Sequence, residues 1–74
     1  MAEIICQMNL KRLGQTQYEA VAMQYRTALP VFGEIIDVTV NNFPVRGCVT
    51  RVSSPPPGSG TYYVHMDEVE RSRG

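Results

Sequence analysis

The stretch from Glu34 to Met66 decides the fold, because three strand-like runs follow one another in it. It reads EIIDVTV at residues 34–40, NNFP at 41–44 and VRGCVTRV at 45–52. After a loop rich in proline, glycine and serine it ends in TYYVHM at 61–66. Runs of β-branched and aromatic residues bounded by Asn, Gly and Pro are typical of an antiparallel meander. Gly47 favours a bulge that places Val52 rather than Arg51 on the core side, and the sequence pattern does not determine the register of that strand.

The residues before the meander predict one strand and one helix. Apolar residues alternate with polar ones from Glu3 to Lys11, as in a strand with one buried face. Thr16 and Glu19 have the spacing of a capping box, which marks the start of a helix. An apolar stripe with helical spacing accompanies it: Tyr18, Val21, Ala22, Tyr25 and Leu29. Pro30 ends such a helix, so we expect a helix from 17 to 28.

These elements predict a single α+β domain over residues 1–74. We expect a small antiparallel β-meander or partly open SH3-like barrel of about four strands, in the order β-α-β-β-β, with one amphipathic helix packed on it. The run LPVFGEII at 29–36, the hairpin strand VRGCV at 45–49 and the Tyr-rich last strand resemble small SH3-like barrels. That resemblance covers about half the chain and implies a fold only. Residues 53–60 are expected to form a flexible loop, and residues 67–74 a charged, frayed tail.

Composition limits the possible chemistry. Seven basic and seven acidic residues cancel, so net charge gives no reason to expect nucleic acid or an anionic membrane as a partner. Two cysteines are too few for a disulfide framework, and a single histidine does not fit the Cys/His zinc patterns. We therefore expect no metal or cofactor. Unpaired cysteines, no membrane-crossing run and no secretion signal favour a cytoplasmic protein.

Sorting the strand residues by face gives a candidate core and a candidate binding surface. The first face holds Ile4, Cys6, Met8, Leu10, Ile36, Val38, Val40, Val45, Val49, Tyr62, Val64 and Met66. The second face is more apolar than a solvated sheet face, and its candidate partner-binding residues are Ile5, Ile35, Tyr63 and His65. A chain this short has a small core, which favours association. We expect a non-catalytic interaction or assembly module, forming a homo-oligomer or binding a protein partner through a sheet face or edge.

Two other functions are possible but less favoured by the sequence. A basic and aromatic patch for single-stranded nucleic acid would use Arg46, Arg51, Tyr63 and His65, but a solvated face with Arg–Asp37 pairs is the simpler interpretation. Catalysis ranks third, with His65 as a general base oriented by Asp67, and Cys48 as the nucleophile. Residues two apart on a strand share a face by default, so this spacing is weak evidence. No catalytic or nucleotide-binding motif is present, and we expect no enzyme activity.

Overall fold

The computed structural model describes residues 3–70, and in this range the protein is all-β. Its strands are β1 (Ile4–Lys11), β2 (Glu19–Arg26), β3 (Ile35–Val40), β4 (Phe43–Ser53) and β5 (Thr61–Glu68). No helix occurs in the described range. The predicted α+β class is therefore wrong, while the barrel-like arrangement fits in part.

The five strands form one nearly closed sheet in the order β2-β1-β5-β4-β3. Neighbouring strands of the sheet pair antiparallel, except that β5 returns beside β1 and pairs with it parallel. The edge strands β2 and β3 approach each other, which brings the sheet close to a barrel. At this junction Arg26 Nη2 donates to Glu34 Oε2 at 3.0 Å. Glu34 also accepts from the backbone N–H of Val31, so one carboxylate orders the turn that leads into β3.

The core lies inside this curved sheet and matches the face predicted for it. Among the described residues, nine apolar side chains are buried there: Cys6, Met8, Leu10, Ile36, Val38, Val45, Val49, Val64 and Met66. The other three predicted core residues, Ile4, Val40 and Tyr62, pack against this cluster while partly exposed. The alternation of apolar and polar residues therefore placed the inward face of four strands correctly.

The predicted helix at 17–28 is wrong, because residues 19–26 form β2. The register along β1 shifts between Met8, which pairs with Ala22, and Asn9, which pairs with Ala20, so Val21 is an extra, bulged residue. Val21 and Ala22 both pack against the core. Two consecutive inward residues break the period of two, and the resulting spacing imitates one face of a helix. Tyr25, expected in the buried stripe, is instead 65% exposed.

Thr16 and Glu19 do not form the predicted capping box, since residues 12–18 are a loop. An isolated helix of about 12 residues is marginal in water, whereas β2 gains backbone hydrogen bonds by pairing antiparallel with β1 on both sides of the bulge. Tertiary pairing therefore outweighed the local signal.

The two turns of the meander follow their sequence chemistry. Asn41 and Asn42 have φ of 52° and 69°, which suits the two-residue turn joining β3 to β4. A bulge does occur in β4, but at Thr50, between Val49 and Arg51. It has the effect predicted for a bulge at Gly47, because Val52 packs on the core and Arg51 is exposed.

The ends of the last hairpin differ in part from expectation. Residues 54–60 form the loop between β4 and β5, close to the predicted 53–60. Strand β5 runs through Glu68, two residues into the predicted tail, and Val69 N–H donates to the Arg46 carbonyl. Residues 71–74 of that tail lie outside the described range.

The two cysteines are free and cannot approach each other across this sheet. Cys6 is buried inside on β1, whereas Cys48 lies on the opposite face of β4, and β5 separates the two strands. Burial raises the pKa of the Cys6 thiol, an effect that the nearby charge of Arg26 partly offsets. Neither cysteine therefore contributes a disulfide to the fold.

Gly47 provides a test of how tightly the core is packed. A Cβ at this position would lie 3.0 Å from Met66 Cβ and 3.2 Å from Leu10 Cδ1. We expect Gly47→Ala to lower the free energy of unfolding by about 1–3 kcal/mol through overpacking. Chemical denaturation measures this, with Thr39→Ala on the exposed face of β3 as a control. Equal stability of Gly47→Ala and wild type would contradict this packing.

Candidate functional site

The candidate site lies on the outer face of the sheet, where strand pairing sets the neighbours of each side chain. Across β2, β1 and β5, Tyr25 pairs with Ile5, and Ile5 pairs with Thr61. One step along the strands, Met23 pairs with Gln7, and Gln7 pairs with Tyr63. Paired residues on one face have Cβ atoms about 4.5–5.5 Å apart, so these rows bring the side chains into direct proximity.

Further along the same face, Tyr18 from the loop before β2 covers the next part of the sheet. Its ring meets the His65 imidazole edge to face, with ring centroids 4.9 Å apart. Its hydroxyl donates to Asp67 Oδ1 at 2.9 Å. The Lys11 ammonium lies 5.6 Å from the ring centroid. Asn9, which neighbours His65 on β1, is 8% exposed although it is polar. This half of the outer face is therefore covered by the protein itself.

His65 has an unusual environment beneath Tyr18. Its Nδ1 is buried and has no hydrogen-bond partner among the described residues. Burial, and secondarily the charge of Arg51 on the adjacent strand, lower the pKa of His65 below its ordinary value. The imidazole is therefore held neutral over a wider pH range than a solvated histidine.

The arrangement of His65, Asp67 and Cys48 gives no support for catalysis. Cys48 pairs with Asp67 across β4 and β5, so all three lie on one face. However, Asp67 is engaged by Tyr18 and by Lys11 Nζ at 3.8 Å. Among residues 3–70, no hydrogen bond joins His65 to Asp67 or to Cys48. The hydrogen-bonded base required to activate a thiol is therefore not formed.

The uncovered half of the outer face carries a compact apolar and aromatic surface. We call it the open patch, and it consists of Ile5, Met23, Tyr25 and Tyr63 around Gln7. Met23 is 53% exposed and Tyr25 65% exposed, while Ile5 and Tyr63 are partly exposed. Tyr and Met are enriched in protein interfaces, and all these residues stand on paired strands rather than on loops.

The four residues predicted for partner binding all lie on the outer face, but not together. Ile5 and Tyr63 belong to the open patch. His65 is covered by Tyr18. Ile35 is 50% exposed on β3, two strands away from β5, and it follows the exposed loop residues Val31 and Phe32.

Met23 and Tyr25 were missed as site residues because a helix was expected there. In the helical interpretation, Tyr25 belonged to the buried stripe. The alternation of Met23 and Tyr25 with Gln24 and Arg26 is a strand signal, and it identifies both as residues of one face.

The residues of the predicted nucleic-acid patch also do not all lie together on the outer face. Arg51 pairs with His65, and Tyr63 lies two residues from His65 on the same face. Arg46 stands apart and pairs with Asp37, with Nε 3.3 Å from Oδ1, as the simpler interpretation expected. This ion pair reduces the positive charge that Arg46 offers to a phosphate.

Comparison with models of known protein families, with curated proteins and with solved structures finds no significant match. Residues 3–70 contain no helix suited to crossing a membrane. In the same range, no three His, Cys, Asp or Glu side chains are grouped as metal ligands.

The environment of His65 predicts a specific pH dependence. Because its folded-state pKa is lowered, the unfolded chain binds a proton more readily than the folded protein. We expect stability to be full above about pH 6.5, and to fall as the pH drops from there toward the folded-state pKa. NMR titration of His65, the single histidine in the chain, measures that pKa directly.

Two variants make this pH test selective. His65→Gln should remove the loss of stability between about pH 6.5 and pH 5, where ordinary carboxylates remain ionised. Arg51→Gln should move the His65 pKa upward, since it removes the repelling charge. A His65 pKa at or above its ordinary value in the wild type would contradict the described burial.

Proposed function

We propose that this protein is a small, non-catalytic assembly module that docks onto another protein chain through the open patch. The observation that carries the proposal is that Ile5, Met23, Tyr25 and Tyr63 share the outer face of three paired strands, grouped around Gln7. Monomeric proteins commonly expose single apolar residues, but a contiguous group on a rigid face is typical of an interface.

The covered half of the same face supports this choice. Tyr18 covers His65, and the neighbouring Asn9 is buried, so the fold does have a means of covering this face. That cover stops short of the open patch, which belongs to the first half of β1 and β5. A partner chain would remove the remaining apolar surface from water and add to a small core, which holds nine buried apolar residues within 3–70.

The distribution of charge favours a protein partner over nucleic acid. Within residues 3–70, Lys11, Arg12, Arg26 and Arg46 each form an ion pair with a carboxylate of the same chain. Arg51 is the remaining cation in that range. Phosphate binding depends on several available cations, and its affinity falls steeply with salt. We also propose a cytoplasmic setting, because both cysteines are free thiols.

Site-specific photo-crosslinking tests the proposed function. A photoreactive phenylalanine analogue at Tyr25 is expected to give protein adducts in an extract of the native host. The same analogue at Phe43, which is 70% exposed at the β3–β4 turn, is the matched control and should give few. The adduct from position 25 should decrease when Met23→Ser is added, because that change removes apolar contact area next to the probe.

Two outcomes would overturn this proposal. One is the absence of protein adducts from position 25. The other is binding of a single-stranded oligonucleotide whose affinity falls with salt and which Tyr63→Ala abolishes, since this would assign the face to nucleic acid.

A further inference from the structure

The segment between β1 and β2, residues 12–18, is fastened to β5 at both of its ends, and we call it the strap. At its first end the Glu68 carboxylate accepts hydrogen bonds from the Leu13 backbone N–H at 3.1 Å and from Arg12 Nε at 3.4 Å. Between the two ends, residues 14–17 are exposed. The second end can therefore detach from the sheet while the first end stays in place.

The second end of the strap is Tyr18, which lies over His65. The Tyr18 hydroxyl donates to Asp67 Oδ1 at 2.9 Å and lies 3.5 Å from Thr50 Oγ1. The Tyr18 ring stands at 89° to the imidazole, with ring centroids 4.9 Å apart. This end is therefore held against a carboxylate and against a ring that can take up a proton.

The closed strap suits a neutral His65 and opposes a charged one. His65 Nδ1 is buried with no hydrogen-bond partner among residues 3–70, so a proton on it would have no acceptor. Arg51 pairs with His65 from β4, and the Lys11 ammonium lies 5.6 Å from the Tyr18 ring centroid. Asp67 on β5 is already engaged by Tyr18 and Lys11. A protonated imidazole would therefore be a third cation in a group that holds one shared anion.

The other neighbours of His65 on this face are uncharged side chains. They are Asn9 on β1, Cys48 and Thr50 on β4, and Tyr63 on β5. The balance of charge around the imidazole is therefore set by Lys11, Arg51 and Asp67.

We propose that the strap is a pH-gated cover, which is closed over neutral His65 and releases its Tyr18 end when the imidazole is protonated. Release lets water reach Nδ1. It also frees Asp67, which lies two residues further along the same face of β5, to compensate the new charge. The released strap uncovers the half of the outer face that holds His65 and Asn9. This inference concerns that half alone, so it does not depend on docking through the open patch.

The direction of the gate follows from the environment of His65. Burial, and secondarily the charge of Arg51, lower the pKa of His65. The closed strap is therefore fully favoured above about pH 6.5, and it loses this advantage as the pH falls toward the lowered pKa. Proton binding and closure oppose each other, and such coupling is reciprocal. A change that loosens the strap must then raise the pKa of His65.

NMR spectroscopy of the purified full-length chain tests the gate. At pH 8 a strong nuclear Overhauser effect (NOE) should connect the Tyr18 and His65 rings, because they are in contact. One pH unit below the measured His65 pKa, this NOE should fall to about a tenth of its intensity, since about nine in ten imidazoles are then protonated. The NOE between the cross-strand partners Val49 and Met66 should persist, because the sheet stays paired.

The His65→Gln variant separates the gate from other effects of acid. Its carboxylates still titrate, but it has no imidazole to protonate. The order parameter of the Tyr18 backbone amide reports the strap in both proteins. Over the same pH range it should stay near about 0.85 in His65→Gln and fall below about 0.6 in the wild type.

A second pair of variants tests the reciprocal effect on the histidine. Tyr18→Phe should raise the His65 pKa by about half a unit or more, because the hydrogen bond to Asp67 no longer holds the strap closed. Tyr62→Phe is the matched control. It removes a hydroxyl from the opposite face of β5 and should leave that pKa unchanged.

Three outcomes would overturn the gate. The first is a Tyr18–His65 NOE that persists while His65 is protonated. The second is loss of strap order at the same pH in His65→Gln. The third is loss of the Val49–Met66 NOE together with that of the strap, since this would be unfolding of the whole sheet. None of them affects the adducts expected from position 25, so the gate and the docking function stand or fail separately.

Discussion

The parallel pairing of β1 with β5 is the constraint on which the rest of the structure depends. It joins the first strand of the chain to the last, and it runs without interruption from Ile5–Thr61 to Lys11–Asp67. This pairing curves the sheet into a nearly closed barrel, and the sheet surrounds the buried apolar cluster. Such long-range pairing has a cost in loop-closure entropy, which the burial of the shared core and the strand hydrogen bonds offset.

The same pairing creates the outer surface that we assign to function. The register places Ile5, Gln7 and Asn9 of β1 beside Thr61, Tyr63 and His65 of β5. Tyr18 then divides this face into a half that the protein covers and a half that it leaves open. The covered half gives His65 its lowered pKa, and the open half presents aromatic and apolar side chains to a partner. One register therefore determines both properties.

Much of the core was predictable from sequence, because period-two alternation in β1, β3, β4 and β5 is a direct consequence of strand geometry. The Asn41–Asn42 turn was also predictable, since asparagine tolerates positive φ. Strand β2 was not, because its bulge at Val21 disrupts the alternation and produces a helix-like spacing. The bulge depends on pairing with β1, which no local pattern reveals.

The candidate site was predictable only in part, for the same reason. Ile5 and Tyr63 stood out as apolar residues on a face that should be polar. Met23 and Tyr25 can be recognised as site residues only when residues 19–26 are known to form a strand. The side chain that covers His65 belongs to Tyr18, which is 47 positions away in sequence. Neighbours across a sheet follow from register, which one sequence does not specify where bulges occur.

The most direct test of the central claim is the change in backbone amide NMR shifts of the isotope-labelled protein when extract of the native host is added, or when its own concentration is raised from micromolar to millimolar. Docking of a partner chain through the open patch predicts shift changes at Ile5, Met23, Tyr25 and Tyr63. It predicts unchanged shifts for the loop at Val31 and Phe32 and for the β3–β4 turn. Shift changes confined to that loop or turn, or none under either condition, would contradict the assignment of this face to docking.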